Sequence, residues 1–323
     1  MSGRKFVLYF SWNRDAEINA DLGILDNRFP ALFEFRRILW PEFESLAGPR
    51  TFNQGVRGFV DDVILGDFKA FAAHVEVATG NPVRVVERQR PDGTSALDAA
   101  VLRDCDTVIV VSLDHMRTGQ QASAGEIKAV HGFLSDPKNI VVVCPHHDIG
   151  DVSAVPATEA LSVQEVEFRH HGDPTIPPQQ RFSGFGRSLL EGLGIEVENR
   201  FGLNPAKATD GAPGALQIDV AADRLQVLQG VTTFNLHPHL PHLEGTAESV
   251  SKYDVLARQP INREARLHPF TRDGRYEFDA LLQTRADVFA GTLLVCDATL
   301  WSSAFGGLQS LKRFWSNLAQ ALG

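Results

Sequence analysis

Cys105-Asp-Thr-Val-Ile-Val-Val-Ser112 and Asn139-Ile-Val-Val-Val-Cys-Pro145, joined by a segment carrying Glu126-Ile-Lys-Ala-Val-His-Gly-Phe133, decide the fold of this 323-residue chain. Each outer piece is apolar on consecutive positions and rich in β-branched residues. That is the pattern of a strand covered on both faces of a parallel sheet. Ser123 stands three places before Glu126, a capping-box spacing that predicts a helix running through Phe133. Strand, helix and strand in this order predict a βαβ unit with parallel strands.

The same composition recurs outward along the chain. Phe6 to Phe10, Val83 to Val86 and Thr292 to Val295 read as further buried strands, and Val231 to Leu236 as a sixth. Helical spacing links Val60, Val63, Ile64, Phe68, Phe71 and Val75, with Gly80 as the stop. Leu311, Phe314, Trp315, Leu318 and Leu322 form an amphipathic closing helix. The expected fold class is therefore α/β: an open, wound, mainly parallel sheet flanked by helices, flavodoxin-like, in one domain over residues 1–323. Residues 145 to 280, with Asp173-Pro-Thr-Ile-Pro-Pro178 and His237-Pro-His-Leu-Pro241, read as a loop-rich insertion or subdomain. Long irregular segments of this kind are usually functional.

Composition narrows the partners. An apolar fraction of 43% and a charged fraction of 22% suit a globular core. With 31 basic and 40 acidic side chains the net charge is −9, which disfavours nucleic acid, whose phosphates need cations. No run approaches the roughly 20 apolar residues that span a bilayer. Cys105, Cys144 and Cys296 are far apart and odd in number, which reads as reduced thiols in a cytoplasmic protein of small-molecule metabolism.

The stretch from Asp104 to Gly150 resembles the corresponding part of class I glutamine-amidotransferase-like folds. The resemblance implies an α/β fold and a nucleophile delivered on a sharp turn after the last of these strands, where Cys144 stands. Val142 and His146 occupy the two positions where that family carries glycines.

In open α/β sheets ligands bind beyond the carboxyl ends of the strands. The residues that follow the proposed strands include Asn13, Asp114, His115, Arg117, Cys144, His146, His147, Asp148, His237, His239, Asp297 and Thr299. Of the 11 histidines, eight lie between His146 and His268, where uniform scatter would put roughly 4; such enrichment suggests a metal. The expected ligands are His237 and His239 with one or both of His146 and His147, holding zinc first, or manganese or iron if carboxylates contribute. Asp148, Asp173 and Glu244 are candidate carboxylate ligands or bases, and His242 a further ligand or an acid–base group. Gln180-Arg-Phe-Ser-Gly-Phe-Gly-Arg-Ser188 places a Gly-rich turn before a helix, where free amides would receive an anion. Arg117, Arg181, Arg187 and Asn13 would then bind an anionic substrate. These residues together predict a metal-dependent hydrolase of a small carboxylate-bearing ester, lactone or amide, using metal-activated water. The alternatives are a metal-free cysteine hydrolase built on Cys144 and a non-catalytic small-acid-binding protein.

Overall fold

The structure is a computed structural model that describes residues 3–15, 60–148, 150, 152, 155–168, 181–199, 202–237, 240–265, 268–303 and 305–321. Its centre is an eight-stranded sheet: β1 (Phe6–Phe10), β2 (Arg84–Glu87), β3 (Thr107–Ser112), β4 (Ile140–Pro145), β5 (Gln217–Ile218), β6 (Tyr253–Pro260), β7 (Glu277–Thr284) and β8 (Thr292–Cys296). The spatial order is β2-β1-β3-β4-β8-β7-β6-β5. The first five strands in that order are mutually parallel. The remaining three continue the sheet antiparallel, each to its neighbour. The α/β class expected from the sequence is the one observed.

Five α-helices flank the sheet among the described residues: α1 (Gly66–Thr79), α2 (Ala124–Phe133), α3 (Ala157–Phe168), α4 (Gly184–Gly192) and α5 (Leu308–Gln320). The period-2 alternation of a strand sorts the core into two halves. Phe6, Leu8 and Phe10 of β1 face one way, packing with Phe68 and Phe71 of α1 and Phe314 and Trp315 of α5. Val7 and Tyr9 face the other, packing with Val130 of α2 and Phe185 and Leu189 of α4. Trp301 anchors the first half, with its ring centroid 5.0 Å from Phe71 and 5.7 Å from Phe314. Each such apolar side chain contributes about 1.5–3 kcal/mol when removed from water.

The helix expected from Val60 starts with a single π-helical turn, Val60–Ile64, before α1 proper. Gly80 ends it at φ 70, a left-handed conformation that glycine adopts without a Cβ clash. The capping box is complete: Glu126 N donates to Ser123 Oγ at 3.3 Å, and Ser123 N to Glu126 Oε2 at 2.9 Å. Glu126 also receives the Arg88 guanidinium through its other oxygen. Ser123→Ala is expected to cost about 1 kcal/mol of unfolding free energy, read from the urea midpoint at unchanged m.

Two expectations need correction. Val231 to Leu236 is not a strand; its backbone makes scattered bonds rather than a ladder, with Thr232 N and Thr233 N both donating to Ser310 Oγ and Leu236 N to Phe305 O. The 145–280 region, read as a loop-rich insertion, also contains α3, α4, β5, β6 and the first half of β7. β6 is only half covered and carries Asp254, Arg258 and Gln259 among its apolar residues, which hides the strand pattern. Among the described residues no helix is long and apolar enough to cross a membrane.

Candidate functional site

Just past the carboxyl ends of β1, β3, β4 and β8, a set of buried polar residues is tied to the start of α4. Asp114 is completely buried. One of its oxygens accepts from Ser11 Oγ (2.9 Å) and Ser112 Oγ (2.6 Å), the other from Phe185 N (3.1 Å). Burial raises its pKa against the pull of these bonds. Gly186 N donates to Ser112 Oγ at 2.9 Å, and a Cβ on Gly186 would stand 2.7 Å from Ser112 Cβ. The amides expected to receive a ligand anion therefore hold the protein's own Asp114 and Ser112. Ser183, at φ 63, donates its hydroxyl to Ser112 O (2.6 Å) and accepts from His146 N (2.6 Å), fixing β4 to α4.

Asp148 is also completely buried. It accepts from Phe182 N (3.0 Å), Arg187 Nη1 (3.0 Å) and Arg181 Nε (3.3 Å). A carboxylate in a dry interior needs such charge compensation. This corrects the expected roles: Arg181 and Arg187, expected to hold a substrate, pair with Asp148, and Asp148, expected as a metal ligand or base, is held by them and by Phe182 N. Arg187 Nη2 further donates to Asn199 Oδ1 at 2.7 Å.

Asn199 passes the network on, donating from Nδ2 to Asp297 Oδ2 at 2.8 Å. Asp297 Oδ1 accepts from Thr299 N (2.8 Å) and from His147 Nδ1 (3.3 Å). Burial pushes the Asp297 pKa up, while the His146 charge and then the Thr299 bonds oppose that rise. His147 is 2% exposed, so its ring is held by packing as well as by Asp297. His146 Nδ1 lies 2.8 Å from His147 O; a carbonyl only accepts, so Nδ1 carries a proton. An ionised Asp297 favours a proton on Nδ1 of His147 in the same way.

The two imidazoles stack, with centroids 4.4 Å apart and planes at 17°, and Phe182 packs edge-on to His146 at 4.9 Å. A metal ion sits in the plane of each ligating ring, about 2.0–2.1 Å from its nitrogen. Two nearly parallel rings about one van der Waals layer apart share no such point. His146 and His147 lie ring against ring, and their donor geometry does not fit one ion. Among the described residues no group of three or more His, Cys, Asp or Glu is arranged to hold a metal.

His237 N donates to Asn235 Oδ1 at 2.8 Å, and its ring packs edge-on to Phe305 at 4.9 Å. His242 Nδ1 accepts from Asp279 N at 3.1 Å, and burial lowers its pKa. Glu244, in a two-residue strand paired with Val197–Glu198, lies close enough to raise the His242 pKa. Asn13 is half-buried just beyond β1. His239 and Asp173 lie outside the described residues, as does the side chain of Arg117.

Cys144 faces the α1/α5 half of the core, away from α4, with its Sγ 3.7 Å from Cys296 Sγ. Burial, and then its bond to Cys296, raises its pKa well above that of an ordinary thiol. A catalytic thiolate is thereby corrected to a core thiol. Iodoacetamide at pH 8 is expected to leave Cys144 and Cys296 unlabelled in the folded protein. Cys105, half-buried with its pKa pushed up to about 11 by burial, is roughly one part in a thousand thiolate at that pH and should label slowly, faster as pH rises. Peptide mass spectrometry after a timed quench reads all three; rapid loss of the free Cys144 thiol would reinstate it as a nucleophile.

The residues that sequence reasoning left unassigned are Ser183, Asn199 and the role of Asp297. No protein-family model matches the chain, and no curated protein matches its sequence. It is similar to a solved structure, that of the carbohydrate deacetylase Agd3, with 11% identity and a TM-score of 0.40. The similarity covers 98% of this chain and 32% of that one, so this chain spans about a third of that protein's length.

Proposed function

We propose that the chain is a hydrolase of a small ester, lactone or amide, in which His147 takes the proton from an attacking water. The observation that carries this reading is the Asp297–His147 pair, 3.3 Å apart and buried at the ends of adjacent parallel strands. Its chemistry is that of a general base positioned by a carboxylate. Water oxygen bonds to the carbonyl carbon while its proton passes to Nε2 of His147. The negative Asp297 stabilises the imidazolium so formed. Collapse of the tetrahedral intermediate breaks the bond to the leaving group, and the imidazolium returns the proton to it. His146, stacked on His147, limits how that ring can turn.

The stacked rings do not support water activation by an ion shared between them, so the reading is metal-free. The test is turnover of a panel of chromogenic esters, lactones and anilides by protein dialysed against chelator. Retained turnover that His147→Ala abolishes is the expected result. Turnover lost to chelator and restored by zinc or manganese would overturn the metal-free form. No turnover of any substrate class would overturn the hydrolase.

A further inference from the structure

At the same edge of the sheet, where β6 ends and β7 begins, lies an open cleft of about 1100 Å³. Its lining is unusual for a chain of net charge −9. Lys207, Arg258, Arg263 and Arg275 face it, against Glu264, Glu277 and Asp279. Arg258 is committed to Asp279 at 2.8 Å. Arg263 and Arg275 are not committed in this way. The Arg263 guanidinium lies 4.3 Å over the ring of Tyr276, and that of Arg275 lies 4.0 Å over the ring of Phe270. Among the described residues neither guanidinium makes a hydrogen bond or ion pair, and Glu264 and Glu277 stand outside ion-pair distance of both.

A guanidinium on an aromatic face is held in place through its plane, while its N–H edges still point outward. Those edges form a fork that matches the two oxygens of a carboxylate or phosphate. Because the ring contact already restricts the side chain, less freedom is lost when an anion arrives. His242 adds a neutral donor: its Nδ1 accepts from Asp279 N, so Nε2 carries the hydrogen.

We infer that this cleft is a binding site, separate from His147, for a small polar ligand carrying an oxyanion, held by Arg263 and Arg275. The oxyanion is a carboxylate or a phosphate, and the two are told apart by titration. Calorimetry on the full chain at low salt, with inorganic phosphate in one arm and malonate in the other, is expected to give saturable binding in at least one arm. Binding of phosphate alone assigns a phosphate ester, of malonate alone a carboxylate, and of both the shared oxyanion chemistry. The double variant Arg263→Gln, Arg275→Gln should weaken the affinity at least about tenfold. The double variant Arg263→Lys, Arg275→Lys, which keeps charge but loses the forks, should recover part of it. Thermal melting of each variant confirms that both exposed substitutions leave the fold intact. His147→Ala should bind as the parent does. Absence of binding in both arms, or binding unchanged in the double glutamine variant, would overturn the site. Loss of binding in His147→Ala would move the anion to the histidine pair and overturn its separateness.

Discussion

Asp297→Asn is expected to lower kcat about 10²- to 10⁴-fold with little change in KM, the loss typical of a disabled general base. Asp297 accepts three hydrogen bonds: from Asn199 Nδ2, from Thr299 N and from His147 Nδ1. An asparagine accepts on one side only. If its amide nitrogen turns toward Asn199, two donors meet there until the Asn199 amide flips and gives up Arg187. If it turns toward His147, it donates to Nδ1 and forces the proton onto Nε2, the nitrogen that must be bare to receive one. In both orientations the base is impaired while the packing volume is unchanged. Steady-state kinetics on any substrate found by the panel, with a melting curve as control, decides it. Parent-like kcat in a folded Asp297→Asn variant would remove Asp297, and with it the general-base reading of His147.

The largest stability effect is expected at Arg187. Asp148 is completely buried, and the Arg187 side chain is 12% exposed. Arg187→Ala leaves the carboxylate with Arg181, 51% exposed and 3.3 Å away, and with Phe182 N. Removing one partner of a buried ion pair costs about 3–5 kcal/mol, because the remaining charge is left uncompensated. The same change at Arg181, in solvent, should cost less than about 1 kcal/mol. Paired urea titrations of the two alanine variants measure both. Equal losses would mean that the carboxylate is screened by water and that the network does not order the strand ends. Arg187 also makes the 2.7 Å bond to Asn199, so a second signature of its loss is a drop in activity at temperatures where the variant is folded.

What was legible in the sequence was whatever a short window contains. β3 and β4 declare themselves because both faces are covered, so nearly every position is apolar. The Ser123–Glu126 box is readable because a capping box closes within one helical turn. β6 was not readable, because a half-covered strand mixes charges into its pattern, and in β7 the polar Glu277, Asp279, Gln283 and Thr284 interrupt the apolar positions. The site was legible as a place but not as a wiring diagram. Asp148 meets Arg187 across 39 positions, and Asn199 meets Asp297 across 98. Nothing local encodes either pairing. Cys144, His146 and His147 are near neighbours in sequence, yet the thiol enters the core while the imidazoles stack beyond the strand end. A crowd of histidines reports composition, whereas ligation depends on ring direction, and direction is set by Asp297 and by a backbone carbonyl.

The placement of β8 has a consequence for how the molecule is made. It is eighth along the chain but fifth across the sheet, entering between β4 and β7. Thr292 pairs with Ile140, so roughly 150 residues of loop must close before the ladder can form. Until β8 arrives, β4 and β7 each carry an open edge, and the parallel and antiparallel halves have no shared strand. Such long-range pairing is slow, and unpaired edges invite contact between chains. The Asp297–His147 pair straddles this late seam, so the base is positioned only once the two halves have been joined. A chain caught before that step would have its strands in part but no working site.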